Sequence, residues 1–469
     1  MPKRTFSLAN QIAFAELSGD NNPLHVDPVV ARRTLFGQPV VHGVHSLMWA
    51  LDQWLEGRSG IVRLQHLQAV FLKPVGLNQE IRFNLVSEHY QRVRIDLLKD
   101  DEVAVRLVFE WSDCEPFQSV DVSSGTPQLQ PPDLISKEAI QSCSGFLDLY
   151  LNTEIAHQLF PNLTRLLNPI QAAVLLGMTR LVGVKCPGLD SIFSELKLNF
   201  SDGTGLQYIK YGVSEFDERY GLVLLTVAAP SLSGTIKAFI RPQPQTQPSF
   251  LDLKQLVGNK AFASQRALVV GGSRGLGEVA AKLLAAGGAE VQLTYRMGKA
   301  DAQKIVYEIL TGGGRASLYE LDILQPQPDW AGLTTPTHLY YFASPYISAS
   351  GKRNFSPALF SNFCNFYVNG FAGVVESLLK HGMQNVFYPS TVFIDEKPSN
   401  FLEYILAKNA GEALCQAFGK KYPGMNLYCP RLPKMATDQT VSLHPIQNPS
   451  PAPIILTALQ NFSDFIGSK

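Results

Sequence analysis

The chain has 469 residues, 40 Lys+Arg against 40 Asp+Glu, 45% hydrophobic and 10% aromatic residues. It is too long for one core and too apolar for wholesale disorder; at ~100–200 residues per domain it holds about three. A net charge of zero gives no electrostatic case for nucleic acid or an anionic membrane, which favour basic faces, and no run reaches the ~18 apolar residues of a membrane span.

The opening MPKRTFSLANQIAFAE has no apolar run long enough for a signal peptide. Cys114, Cys143, Cys186, Cys364, Cys415 and Cys429 show no C-x-x-C spacing. Reduced thiols, no metal and a cytoplasmic protein are therefore expected. Segment 1–118 starts with a helical pattern. A stretch of turn formers follows, SGDNNPLHVDPVVARRTLFGQPVVHG, and then a long apolar helix, HGVHSLMWALDQWL. The runs RLQHLQAVFLKPV, EIRFNLVSEHY, RVRIDLLKD and EVAVRLVFEW alternate as half-buried antiparallel strands do. A sheet wrapped on one apolar helix is the simplest way to bury both. A Ser-, Pro-, Gln- and Gly-rich linker spans roughly 115–135. Segment 136–243 repeats the order more loosely, with the helix NPIQAAVLLGMTRLVGV and the strands SIFSELKLNFSD, LQYIKYGVSEF, YGLVLLTVAA and SGTIKAFIRP. This is a duplication at the level of pattern; the second copy lacks the Asp/His stretch, and its helix reads as core. The linker PQPQTQPS favours extended spacing. Segment 250–469 alternates strands and helices, as a doubly wound parallel α/β sheet does.

Asp20 and His25 lie five residues apart in the turn-forming stretch. Pro23 and the adjacent asparagines fix the backbone and can hold the two side chains convergent. A carboxylate and an imidazole flanking one water can take a proton on one side and deliver one on the other. A backbone N–H near Gly43, at the start of the long helix, can polarise a carbonyl oxygen, and the helix dipole favours the enolate-like charge that develops. Taken singly, His25 reads as a structural histidine and Asp20 as a turn or cap residue. Taken together, FAELSGDNNPLHVDPVVARRTLFGQPVVHG is specific. Residues ~10–112 resemble the MaoC-like, (R)-specific enoyl-CoA hydratases, which have the hot-dog fold; LQHLQAVFLKPVGLNQEI is similar to their following strand pair. The resemblance implies Asp20 and His25 as the catalytic dyad and the Gly43 N–H as the oxyanion donor. It is weak over ~140–241, where it implies a degenerate second hot-dog that completes the sheet and makes room for an acyl chain without catalysis. A serine found along the helix of some members falls at about Leu51 here.

In LVVGGSRGLGEVAAKLL, Gly271, Gly275 and Gly277 lie between an apolar strand and an alanine-rich helix. Small residues let the backbone approach a pyrophosphate, and the helix N-terminus supplies N–H donors. Tight turns need glycine too, so the strand–loop–helix context carries the reading. Tyr404 and Lys408 share one helix face. An ammonium beside a phenol lowers the phenol's pKa, which fits Tyr404 for general acid work; an amphipathic helix with a chance Y-x-x-x-K is the bland alternative. The segment resembles the short-chain dehydrogenase/reductases of the 3-oxoacyl reductase type over nearly its whole length. The resemblance implies a Rossmann-type fold and a cofactor loop of Gly271, Ser273, Arg274, Gly275, Leu276 and Gly277. It implies Tyr404 and Lys408 as the catalytic pair and cofactor contacts, Asn369 as the helix asparagine that relays protons, Asp322 with Ile323 at the adenine, and Ala343 beside the cofactor. The catalytic hydroxyl falls in FYPSTVF: the usual separation lands on Thr391, Ser390 is one position off, and both stay open. Val270, Tyr341-Phe342-Ala343-Ser344 and Pro430-Arg431 depart from the family pattern. Arg274 in the loop and Arg296 after the second strand, with no acid at that strand end, suit the 2′-phosphate of NADPH.

The expected fold is therefore multidomain, an N-terminal α+β double hot-dog with a degenerate second copy followed by an α/β Rossmann-type doubly wound parallel sheet. The expected function is a bifunctional NADPH-dependent 3-oxoacyl-thioester reductase and 3-hydroxyacyl-thioester dehydratase, or (R)-specific enoyl hydratase, working in the synthetic direction. Fusion raises the local concentration of the shared intermediate. Two alternatives stand beside it. One is an oxidative, NAD-linked pair in fatty-acid breakdown; the other is a binding or scaffold subunit of a larger synthase with one silent site, for which the altered Tyr341–Ser344 stretch speaks. The acyl carrier is open between coenzyme A and an acyl carrier protein. Arg32, Arg33, Lys352 and Arg353 can meet a phosphopantetheine or an acidic carrier, although ordinary solvated charges account for them more simply. Both resembled families commonly self-associate, so a homodimer or larger homo-oligomer is expected.

Overall fold

The computed structural model describes residues 1–115, 123–201, 207–325, 330–347, 355–443 and 447–468. Lys352, Arg353 and part of the first linker lie outside them. The chain divides into two compact units, Met1–Gln243 and Pro244–Lys469.

The first unit is β-rich and hot-dog-like. Its strands form one ten-stranded antiparallel sheet in the order Lys3–Arg4, Ile81–His89, Arg92–Lys99, Glu102–Cys114, Ile61–Phe71, Ser191–Phe200, Leu232–Ile240, Leu222–Ala229, Tyr208–Asp217 and Ser144–Asp148. Two helices share its hydrophobic core. In Gly43–Leu55 only Gly43 and Gln53 escape full burial, and Pro169–Arg180 is buried from Gln171 to Arg180. A helix apolar nearly all round must be enclosed, and the sheet encloses both. His45 Nδ1 in the first helix lies 3.2 Å from the Gln11 amide nitrogen, while its Nε2 has no hydrogen-bond partner among the described residues. Asp52 accepts the Asn162 and Leu163 N–H groups at 2.8 and 2.9 Å, which caps the short helix Pro161–Leu166 with a carboxylate.

The two halves of this sheet meet where Ile61–Phe71 pairs with Ser191–Phe200, from His66↔Asn199 to Val70↔Glu195. Beyond that ladder the helix takes over the strand's polar groups. Gln171 accepts the Leu64 N–H at 2.8 Å and donates to the Leu64 carbonyl at 2.7 Å, and the Asn168 N–H reaches the Val62 carbonyl at 3.1 Å. The edge strand Ser144–Asp148 was not predicted. Only Leu147 in it is buried, so alternation scarcely registers over five residues.

The second unit has six parallel strands in the order Arg315–Glu320, Glu290–Tyr295, Arg266–Val270, His338–Tyr341, Asn385–Phe387 and Asn426–Tyr428. Hydrophobic clusters cover both faces, which is why its central strands read as unbroken apolar runs. Strand order reverses between Arg266–Val270 and His338–Tyr341, and a crevice at the carboxyl ends of strands is found at such a reversal.

Gln171→Leu keeps the side-chain volume but leaves a buried N–H and C=O of Leu64 unpaired. It is expected to cost about 2–4 kcal/mol in denaturant unfolding of the first unit; a loss under about 0.5 kcal/mol would contradict the role given to this amide.

Candidate active sites

The helix Leu8–Ser18 stops at Gly19, which is left-handed at φ 78°, and the turn drops Asp20 into the interior, 1% exposed. The stretch expected as a loop contains a short helix, Pro23–Val26. Proline at its first position presets φ, and Asn22 caps it by accepting the Leu24 N–H at 3.0 Å. This turn carries His25, whose Nδ1 lies 2.8 Å from the Val40 carbonyl; with Nδ1–H donating there, Nε2 is the basic nitrogen. The ring stacks on that of His42 at 3.8 Å between centroids. His42 is fully buried, and its two ring nitrogens face the Gln11 Oε1 and Asp20 carbonyl oxygens, each at 2.9 Å. Gly43 follows it and opens the long helix, so its N–H has no acceptor within that helix.

Asp20 and His25 are therefore brought together. Burial pushes the Asp20 carboxyl up, while His25, the Thr179 hydroxyl, the Asn22 N–H and Arg180 pull it back. Burial pushes the His25 imidazole down, against Asp20 and the Val40 carbonyl. The donor atoms of Asp20, His25 and His42 lie within 4.8 Å of one another. His42 faces a carbonyl oxygen from each ring nitrogen. Leu51, where some family members carry a serine, is core.

Thr179 went unnoticed in the sequence. Its hydroxyl donates to Asp20 Oδ2 at 2.6 Å, and it belongs to the helix read as core only. No local signal marks it, since it lies 159 residues from its partner.

In the second unit the glycine turn sits between Arg266–Val270 and the helix Gly275–Ala286. Gly271 has φ 81°, and a Cβ there would come within 2.7 Å of the Ala343 nitrogen; a Cβ on Gly277 would lie 2.2 Å from the Gly271 carbonyl oxygen. Gly271, Gly277 and Ala343 are thus packed together, beside Ser273 and the half-buried Leu276. Arg274 lies 3.6 Å from Asp438, and Arg296 lies 3.8 Å from Asp322, which also accepts the Leu324 N–H at 3.0 Å. Ile323 is core.

The helix Leu402–Lys421 carries Tyr404 and Lys408, both buried. The Tyr404 hydroxyl hydrogen-bonds Thr391, whereas Ser390 donates to Glu412 at 2.5 Å. Of the two hydroxyls left open by the sequence, Thr391 is the one beside Tyr404. The expected lowering of the phenol is not what the structure shows. Burial pushes Tyr404 up to about 12, with the Thr391 bond pulling the other way. Lys408 is pushed down to about 8 by burial. Its Nζ lies 4.1 and 5.0 Å from the ring centres of Tyr367 and Tyr388 and donates to the Pro389 carbonyl at 2.7 Å. Asn369 is not brought to this group: it is exposed, and its amide bonds Asn365 at 3.1 Å. Tyr367, two residues earlier, is buried there instead, and its hydroxyl lies 2.7 Å from Ser344.

The family model described as "MaoC like domain" matches residues 1–106. An (R)-specific enoyl-CoA hydratase of Aeromonas caviae is 40% identical over 81 residues, 17% of this chain and 59% of that protein. A peroxisomal multifunctional enzyme type 2 of Mus musculus is 33% identical over 90 residues, 18% of this chain and 12% of that one. The chain thus spans less than two thirds of the length of these relatives. Among solved structures, a short chain dehydrogenase from Shigella flexneri gives a TM-score of 0.39 at 19% identity over 44% of this chain and 88% of that one. One from Burkholderia cenocepacia J2315 in complex with NADP gives 0.38 at 20% identity over 42% and 90%. At these scores the Rossmann-like character of the second unit rests on its own strand order and glycine turn. The chain joins a MaoC-like region to that parallel-sheet unit.

Gly277→Ala is expected to cost the second unit about 1–3 kcal/mol in denaturant unfolding, because its Cβ meets backbone rather than a yielding side chain. An unchanged midpoint would contradict the close approach to Gly271.

Proposed function

We propose that the chain is a bifunctional enzyme of acyl-thioester metabolism, a 3-hydroxyacyl-thioester dehydratase, or enoyl hydratase, joined to an NADPH-dependent 3-oxoacyl-thioester reductase. The observation that carries the reading is the convergence of Asp20 and His25 at the Gly43 helix start, within the region matched by the MaoC-like model. In the hydration direction, water between the two groups loses a proton to one of them and its oxygen bonds to C3. The pair returns a proton to C2, and the Gly43 N–H holds the charge that builds on the thioester oxygen. Dehydration is the reverse. We read the second half of the ten-stranded sheet as a degenerate second hot-dog, so that domains 1–118 and 136–243 build one fold and 250–469 the reductase. The antiparallel continuity across the seam supports this.

For the second unit, the reading is supported by the close backbone packing at Gly271 and Gly277 and by the helix N-terminus that opens at Gly275 beside the same turn. Arg274 and Arg296 favour a 2′-phosphate, hence NADPH and the synthetic direction. When bound, NADPH supplies the hydride for the 3-oxo carbon. Tyr404, protonated throughout the neutral range, gives its phenol proton to the resulting alkoxide oxygen, and Thr391 orients it. We read the acyl carrier as coenzyme A. The name of the Aeromonas caviae relative supports that carrier.

Asp20→Asn and His25→Ala are each expected to lower hydration of a trans-2-enoyl-CoA by about 100-fold or more while leaving NADPH-linked ketoreduction intact. Tyr404→Phe and Thr391→Ala should do the reverse, and Ser390→Ala should spare catalysis. Hydration that survives Asp20→Asn would sink the dyad. Ketoreduction that survives Tyr404→Phe would sink the reductase assignment.

A further inference from the structure

The segment without the Asp/His pair is built against that pair. Asp20 has two carboxylate oxygens. Oδ1 accepts the N–H of Asn22 at 3.3 Å from its own turn, and Oδ2 accepts the Thr179 hydroxyl at 2.6 Å from the far half of the sheet. The helix Pro169–Arg180 does not stop there. It runs into a π-helical turn, Leu181–Lys185, and such turns often occur where a helix has to present a group out of the ordinary phase. Here the turn presents Gly183. A Cβ on Gly183 would lie 2.1 Å from Asp20 Oδ1, so only glycine leaves room for the carboxylate. The Asn22 amide nitrogen lies 2.9, 3.2 and 3.1 Å from the carbonyl oxygens of Gly183, Gly188 and Leu189. The turn that carries Asp20 and His25 is thus tied to the second segment on both sides of the carboxylate.

We propose that Thr179 is a positioning residue of the hydratase site: its hydroxyl fixes the rotamer of Asp20, with Gly183 as the wall behind it. The proposal rests on the dyad reading above. It assigns the second segment a direct part in the reaction geometry, beyond completing the sheet. A hydroxyl donating to a carboxylate stabilises the ionised form. The other charged or titratable groups facing Asp20 are His25 on the short helix, His42 at the start of the long helix and Arg180 beside Thr179. Each remains in place when only the Thr179 hydroxyl is removed.

Thr179→Val keeps the shape and deletes the donor. Hydration of a trans-2-enoyl-CoA is expected to fall roughly 10–100-fold in kcat, with KM little changed. The acid limb of the kcat/KM profile should move to higher pH, because Asp20 then holds its proton more tightly. Thr179→Ser should restore most of the rate and the original limb, which a merely structural role would not require. Should Thr179→Val fail to fold, Thr179→Ala carries the same prediction. Gly183→Ala should lower kcat with the hydroxyl still present. Wild-type kcat and pH profile in a folded Thr179→Val protein, beside an inactive Asp20→Asn protein, would overturn the role of Thr179 alone. Full hydration by Asp20→Asn would overturn the dyad and this proposal with it.

Discussion

The pairing of Ile61–Phe71 with Ser191–Phe200 is the constraint on which the first unit depends. It closes two sheet halves into one antiparallel surface and fixes the spacing of the two helices beneath. Gln171 extends the same seam by taking the backbone groups of Leu64 that the ladder leaves. Once the seam is set, Thr179 arrives at Asp20 without further choice. A slip of one residue would turn the inward face of either strand outward and carry the helix away from the carboxylate.

Burial is the second organising effect, and it acts in opposite senses on the two members of each pair. It raises Asp20 and lowers His25, so it opposes the charged form of each; their mutual attraction and the hydrogen bonds to Asp20 work in the other direction. In the second unit burial raises Tyr404 and lowers Lys408. Tyr404 is left protonated through the neutral range, and the ammonium is steadied by two aromatic faces and the Pro389 carbonyl.

What the sequence made legible follows the range of the interactions. The Asp20/His25 stretch, the glycine turn and the Tyr404/Lys408 pair are local patterns, with spacing tied to one turn or one helix face. Thr179 and Gly183 meet Asp20 through tertiary packing, and nothing within several residues of either marks it. Asn369 illustrates a different limit. It lies in a π-helical stretch, Asn365–Gly370, where the widened turn shifts the faces relative to ordinary helical counting; Tyr367 occupies the buried position and Asn369 is turned outward. Ser390 and Thr391 are neighbours in a short strand, where adjacent side chains point to opposite faces. A count uncertain by one residue cannot separate them; in the fold Ser390 meets Glu412 and Thr391 lies beside Tyr404.

On the proposed reading the two sites would share one intermediate, the 3-hydroxyacyl thioester, whose local concentration covalent linkage raises. The most direct test follows NADPH absorbance as the wild-type chain is mixed with a 3-oxoacyl-CoA, with the products identified by mass. Loss of NADPH with both 3-hydroxyacyl and trans-2-enoyl products is the expected result. No loss of NADPH with any 3-oxoacyl thioester, on coenzyme A or on a carrier protein, would contradict the joined reaction pair.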